Sequence, residues 1–238
     1  MTTEKEDLMT ITITWHGHAT FALDIDGTAV VVDPFFSPNN PVAKATADDV
    51  NAHFVLQTHG HGDHISDTVA LAKRTGALVI ANFEISNWIN AQGHENTHAM
   101  NTGGSYDFPF GRVTMTPALH SSGLPDGSYG GDPGGYVVAA AGRKLYFAGD
   151  TALFSDMALI GRAADLDLAV LPIGDNYTMG PDDALYALDY LKPRIVIPGH
   201  FNTWPVIEQN PEAWAERVRQ ETACEPVVLD VQGSYRLD

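Results

Sequence analysis

At 238 residues and 25.7 kDa, the chain is long enough to bury one sizeable core, and no apolar run approaches the roughly 20 residues of a membrane-spanning helix, which excludes a helical membrane protein. Thirteen basic against thirty acidic residues give a formal net charge of -17, which argues against nucleic acid or an anionic membrane as partner. A single cysteine, Cys224, excludes an intrachain disulfide and fits a reducing cytoplasm, the expected location.

The first nine residues, MTTEKEDLM, lack the basic, apolar and small-residue progression of a secretory signal and read as a flexible tail. Residues 10–238 are expected to form a single domain. Its opening is a meander: ITITWHG (11–17), TFALDI (20–25), TAVVVDP (28–34) and FVLQTH (54–59) read as strands, with Asp26-Gly27 as a tight turn between the second and third. ISDTVALAKRTG (65–76) carries helical spacing and a stop at Gly76. ALVIAN (77–82) reads as a strand, FEISNWINAQG (83–93) as a helix, and THAMN (97–101) and RVTMTPALH (112–120) as strands. The glycine-rich stretch SSGLPDGSYGGDPGG (121–135) is either a lid or a long hairpin connection.

In the second half GYVVAAAGRKLYFAGD (135–150) reads as a hairpin turning at Ala141-Gly142. LDLAVLPI (166–173) and RIVIPGH (194–200) look like buried strands. Helices are expected near 153–163, 182–191 and 211–221, and PVVLDVQGSYRL (226–237) as a closing strand. Strands and helices in both halves predict an α/β fold, a four-layer αββα sandwich with two facing sheets and outer helices.

The sequence concentrates its chemistry at strand ends. THGHGDH (58–64) packs three histidines and an aspartate into seven positions. His59, His120, Asp150 and His200 each follow an apolar strand, and strand ends in a layered α/β fold converge on one rim. With His61, Asp63 and His64 that makes seven candidate ligands, too many for one zinc. Two divalent ions, zinc first and manganese or nickel as alternatives, would use all seven. The expected allocation is His59, His61 and His120 on one ion, Asp63, His64 and His200 on the other, and Asp150 as the bridge, with Gly60 and Gly62 removing bulk between the ligands. A bridging hydroxide would then serve as nucleophile without any serine or cysteine.

The run T-H-G-H-G-D-H, followed by a single His, Asp and His at later strand ends, resembles the metallo-β-lactamase superfamily over nearly the whole chain. WHGHAT (15–20), LPIGDNYTMGP (171–181) and PGHFNTWP (198–205) look like the bacterial and archaeal metal-dependent hydrolases related to L-ascorbate-6-phosphate lactonase. That resemblance implies the same αββα fold and the same seven residues on two metals. His61 stands where flavodiiron oxidoreductases usually carry Glu, and Asp150 where true β-lactamases commonly use Cys, so hydrolysis is expected and a β-lactam substrate is not.

His18 matches a GH(S/A/T) pattern of the narrower family and is either a catalytic residue beside the metals, the reading carried forward, or a structural hydrogen-bond partner, with Asp63 expected to orient the hydroxide. His16 is expected to be structural, and His53, His94 and His98 exposed or locally bonded. Asn176, Tyr177 and Thr178, on the loop after LDLAVLPI, either bind the polar part of a substrate, with Asn176 and Thr178 as the expected contacts, or pack the loop for its own sake. Asp33 is either a partner of a ligand histidine or a turn-forming Asp-Pro, and Trp204 either walls the pocket or fills the core.

The function expected is hydrolysis of a small ester, lactone or phosphoester. A phosphodiesterase or nuclease, a metal-dependent oxidoreductase and a non-catalytic metal-binding regulator are the rival readings. The expected partners are a small-molecule substrate and, at most, further copies of this chain.

Overall fold

The hairpin at Asp26-Gly27 starts the first sheet. β1 (Ile11–Trp15), β2 (Phe21–Ile25) and β3 (Thr28–Val32) pair antiparallel in register, and Asp26 (φ 49°) and Gly27 (φ 83°) are both left-handed, as a tight hairpin turn requires. β4 (Phe54–Leu56), β5 (Leu78–Asn82) and β6 (Thr97–Met100) then add in parallel. Parallel neighbours need crossovers, and these carry α1 (Gly62–Ile65), α2 (Thr68–Thr75) and α3 (Phe83–Ala91). The structure is a computed structural model and describes residues 10–237; the tail expected at 1–9 lies outside the described residues.

The helix expected over 65–76 is broken in two. Asp67 turns its carboxylate to the N–H of Phe36 (2.7 Å) and to Asn39 (3.0 Å) instead of capping α2. The predicted stop holds: Gly76 closes α2 at φ 74°.

The second sheet contains β7 (Ser105–Phe108), β8 (Gly111–Pro117), β9 (Gly134–Ala140), β10 (Arg143–Phe147), β11 (Leu168–Pro172), β12 (Ile195–Gly199) and β13 (Glu225–Pro226), in the order β13-β12-β11-β10-β9-β8-β7. β7 has no counterpart in the sequence reading, because SYDF is an exposed edge strand with no apolar run. The closing strand expected over 226–237 is two strands in different sheets. β13 pairs with β12, whereas β14 (Ser234–Leu237) crosses to β1. The turn at Asp230–Gly233, with Gln232 at φ 69°, makes the crossing.

One large apolar core lies between the sheets. Ile11, Ile13, Phe21 and Leu23 from the first meet Val113, Tyr136, Val138 and Phe147 from the second, and α4 (Met157–Ala164), α5 (Pro181–Leu191) and α6 (Pro211–Glu221) add Ile160, Leu188 and Trp214. A second cluster covers the outer face of the first sheet: Val31, Val55 and Val79 pack on Leu71 of α2 and Ile85 and Ile89 of α3. This is the expected four-layer αββα sandwich. Each fully buried Leu, Ile or Phe contributes about 1.5–3 kcal/mol, so these layers hold the strand ends in place.

Strand direction decides where the chemistry falls. β8 and β10 are both antiparallel to β9, and β10, β11 and β12 run parallel, so β8, β10 and β12 all end at one edge. β1, β3 and β4 likewise point one way in the first sheet. The segments bearing His18, Asp33, His59, His120, Asp150 and His200 follow those six strands.

Candidate metal centre

Asp150 follows the middle strand of the three and takes the central place. Its Oδ2 lies 3.0 Å from Nε2 of His200, 3.3 Å from His64, 3.6 Å from His120 and 3.9 Å from His59. The donor atoms of His59, His61 and His120 lie within 4.8 Å of one another, and so do those of His18, Asp63, His64 and His200. The first group is the expected one, and the second gains His18.

Several central atoms are buried without a hydrogen bond: Nε2 of His64, both ring nitrogens of His200 and Oδ1 of Asp150. An unsatisfied buried polar atom costs about 1–3 kcal/mol, so these ring nitrogens and the carboxylate oxygen among them form an arrangement that a bound cation would relieve in part. Imidazole and carboxylate donors at this density fit divalent transition ions.

Partners behind the rings set their orientation. His64 places Nδ1 2.8 Å from Asp33 Oδ2 and His59 places Nδ1 3.0 Å from Thr58 Oγ1. Nε2 of His61 lies 3.2 Å from Ser121 Oγ, while its Nδ1 lies 3.1 Å from Nε2 of His59. In each case one nitrogen is tied back and the other faces the centre, the pattern typical of ligand histidines. Asp33 also accepts from the Thr58 N–H (2.8 Å), the Thr58 hydroxyl (2.6 Å) and Gln57 Nε2 (3.0 Å). These contacts favour its ionised form against the burial that pushes its pKa up. Asp33 therefore stands behind a candidate ligand histidine, His64.

His18 reaches the centre through a left-handed backbone (φ 54°), as does His200 (φ 53°). Such conformations are uncommon outside glycine and cluster at functional sites. The His18 carbonyl accepts from the His200 N–H (2.9 Å) and from Trp15 Nε1 (2.9 Å), which ties the end of β1 to the end of β12. The ring bridges Asp63 Oδ2 (Nε2, 3.1 Å) and Thr203 Oγ1 (Nδ1, 2.8 Å).

Glycine makes the closest approach possible. A Cβ on Gly149 (φ 64°) would stand 2.8 Å from the Gly134 carbonyl and 3.0 Å from Thr58 Cβ, so Asp150 comes this near THGHGDH only after glycine. Within that motif Gly60 is also tight, 3.0 Å from Leu124, whereas a Cβ on Gly62 meets only Ser66 Oγ at 3.8 Å.

Burial pushes His59, His61 and His120 down, which keeps them neutral with lone pairs free for a metal. Burial and the neighbouring His200 push His18 down to about 4. Burial works against the charge on Asp63 and Asp150, but His18 and His64 beside the first, and His200 and His64 beside the second, hold both below the usual carboxylate range. His64 goes the other way: despite burial, Asp150 and Asp33 hold it well above an ordinary histidine, so positive charge is favoured at this point.

A cavity of about 450 Å³ opens onto the cluster, lined in part by Ser121, Tyr177, Trp204 and Val206. From the loop after β11 it is Tyr177 that lines it. Asn176 and Thr178 do not; they bond locally, from the Asn176 N–H to Asp175 and from the Thr178 hydroxyl to the Met179 carbonyl. Trp204 walls the pocket. The glycine-rich stretch is pinned: Ser122 Oγ accepts from the Gly60 N–H and donates to the Gly130 carbonyl, and Asn82 donates to Gly130 and Asp132. His16 is buried against Phe36, away from both donor groups. His94 bonds Ala77, His53 accepts from Ala29, and His98 stacks on Tyr106. Sequence reasoning missed Thr58, Ser121 and Thr203, and their only signal was adjacency to ligand motifs.

The sequence profile of the β-lactamase superfamily domain matches residues 28–201. A UPF0173 metal-dependent hydrolase of Bacillus cereus is 44% identical over 230 residues, covering 94% of this chain and 99% of the relative. The chain belongs to the UPF0173 metal-dependent hydrolase family of the β-lactamase superfamily. A Heliobacterium modesticaldum UPF0173 protein is 47% identical over 224 residues, with coverage of 91% and 93%. Among solved structures, the metallo hydrolase Igni18 of Ignicoccus hospitalis superimposes with a TM-score of 0.88 at 32% identity, covering 96% of this chain and 99% of that one. This UPF0173 chain shares its fold and, among its described residues, has no helix long and apolar enough to cross a membrane.

Proposed function

We propose that this UPF0173 protein hydrolyses a small ester, lactone or phosphoester with two divalent ions, zinc first and manganese or nickel as alternatives. His59, His61 and His120 would hold one ion, Asp63, His64 and His200 the other, with Asp150 shared. The observation that carries this reading is the Asp150 Oδ2 atom with four imidazole nitrogens within 3.9 Å. Divalent ions at such a site lower the pKa of water toward about 7 and polarise a carbonyl or phosphoryl oxygen.

The chain's own residues supply position and proton handling. Asp33 and Thr58 fix the buried His64 and His59 rings of the donor cluster, so little reorganisation is left for the reaction. Asp63, held ionised, is placed to orient the attacking water. His18, between Asp63 and Thr203, is the side chain that can pass a proton toward the leaving group. The segment from Trp204 to Val206 and the Tyr177 loop narrow access to bulk water.

Metal analysis of the purified chain, with a panel of p-nitrophenyl esters, phosphodiesters and lactones after zinc, manganese or nickel loading, tests the proposal. Two equivalents of metal and turnover of at least one class are expected. A loaded chain inactive on all three would defeat it.

A further inference from the structure

The cavity has two unlike sides. All its lining histidines and carboxylates belong to the donor cluster, and of the described lining residues none is Lys or Arg. The opposite wall is apolar and built. Trp204 packs edge-on against His18 (5.1 Å) and against Phe35 (6.3 Å). Residues Pro205–Ile207 form a short 3₁₀ turn that buries Ile207 completely and leaves Val206 52% exposed. The Ile207 N–H bonds the Trp204 carbonyl, and the Asn202 N–H bonds that of Ile207, so the turn is anchored at both ends.

Tyr177 is presented with similar care. It follows Asp175 (φ 64°) and Asn176 (φ 54°), both left-handed, in a loop closed by Asp175 N–H to the Met179 carbonyl and Met179 N–H to the Thr151 carbonyl. Its ring is 55% exposed. Isolated apolar side chains are ordinary on a protein surface, but these three meet on the cavity that ends at the donor cluster.

Resting on the hydrolase reading above, we infer that the substrate carries an uncharged, apolar group beyond the bond that is cut, and that Tyr177, Trp204 and Val206 hold that group. An alkyl or aryl chain of a few carbons fills the wall. A carboxylate or phosphate on that chain would lie against apolar side chains with no Lys or Arg among the described lining residues, on a protein of formal charge -17. Neutral esters and lactones are therefore the substrate class, and substrates with a terminal phosphate or carboxylate are disfavoured.

The test uses the full-length zinc-loaded chain and two esters of equal length and the same leaving group: p-nitrophenyl hexanoate and p-nitrophenyl hydrogen adipate. The hexanoate is expected to have the higher kcat/KM by about tenfold or more, the scale of discrimination available to an apolar pocket. Val206→Arg is expected to narrow or reverse that preference, and Trp204→Ala to lower kcat/KM for the hexanoate more than for the adipate. A second readout needs no turnover: N-phenylhexanamide should quench tryptophan fluorescence at lower concentration than its terminal carboxylate analogue, with Trp204→Phe as the control. If both esters are cleaved and the adipate is equal or better, the inference fails and the hydrolase reading stands. If neither is cleaved with any metal, that reading loses its ester arm, and the binding pair decides: equal binding of the two amides overturns the inference, and preference for the neutral one supports it.

Discussion

The two donor groups differ in what stands behind them. His59 and His61 are backed by hydroxyls, Thr58 at 3.0 Å and Ser121 at 3.2 Å, whereas His64 is backed by the buried carboxylate of Asp33 at 2.8 Å and Asp63 by the ring of His18 at 3.1 Å. Hydrogen bonds with an ionised partner are roughly twice as strong as neutral ones. The group around His64 is thus built more rigidly than the group around His59, and an ion in it should be held more tightly. Asp150 Oδ2 lies within 3.9 Å of ring nitrogens from both, which makes it the residue whose loss is expected to erase the difference.

Predictions that break or sharpen that contrast rank by size. Asp150→Ala removes the shared ligand, so metal analysis should find both proposed ions gone and activity lost with them; full occupancy would refute the shared role. Asp33→Asn turns an acceptor into a partial donor facing four contacts, and chelator competition should show the His64 group weakened about 10–100-fold, the usual scale for a residue behind a ligand. The His59 group should weaken less, because Asp33 reaches it only indirectly, through Thr58 and Gln57. An equal loss at both groups would mean that the contrast is false.

Thr203→Val should act only on the His64 group, by freeing the His18 ring that lies against Asp63. A loss of about tenfold in metal affinity is expected, the low end for such partners, together with a changed tautomer signal for His18 in ¹⁵N NMR of the metal-free chain. Ser121→Ala removes one neutral hydrogen bond, worth about 1 kcal/mol, and should loosen the His59 group by only a few-fold. His16→Ala belongs to neither group. It should leave metal content intact and lower stability by about 1–2 kcal/mol, read from denaturant melts, and the loss of one metal equivalent would show His16 to be part of the centre.

The sequence was most informative where one physical rule decides the outcome. The apolar run ITITW and the helical spacing before Gly76 were enough to place β1 and α2, and the strand-end position of His120, Asp150 and His200 pointed to their meeting, because strand ends in a layered α/β fold converge on one rim. Family membership, now shown, agrees with the motifs that pointed to it. What stayed hidden depends on tertiary partners. β7 exists because β8 offers it an edge, PVVLDVQGSYRL splits because its ends pair with different sheets, and α1 separates from α2 because Asp67 finds partners at Phe36 and Asn39. Thr203, Ser121 and Thr58 gain meaning only once a ring nitrogen is seen beside each hydroxyl. The sequence pointed to Trp204 as a wall and to Tyr177 as a contact for a polar group, but not to the apolar wall they form with Val206, since these residues are far apart in the chain and meet only on the cavity.

Anomalous diffraction from crystals grown with saturating zinc tests the central claim most directly. The account predicts two peaks flanking the Asp150 carboxylate, one among His59, His61 and His120 and the other among Asp63, His64 and His200. A single peak, or a second one bound away from Asp150, would contradict it.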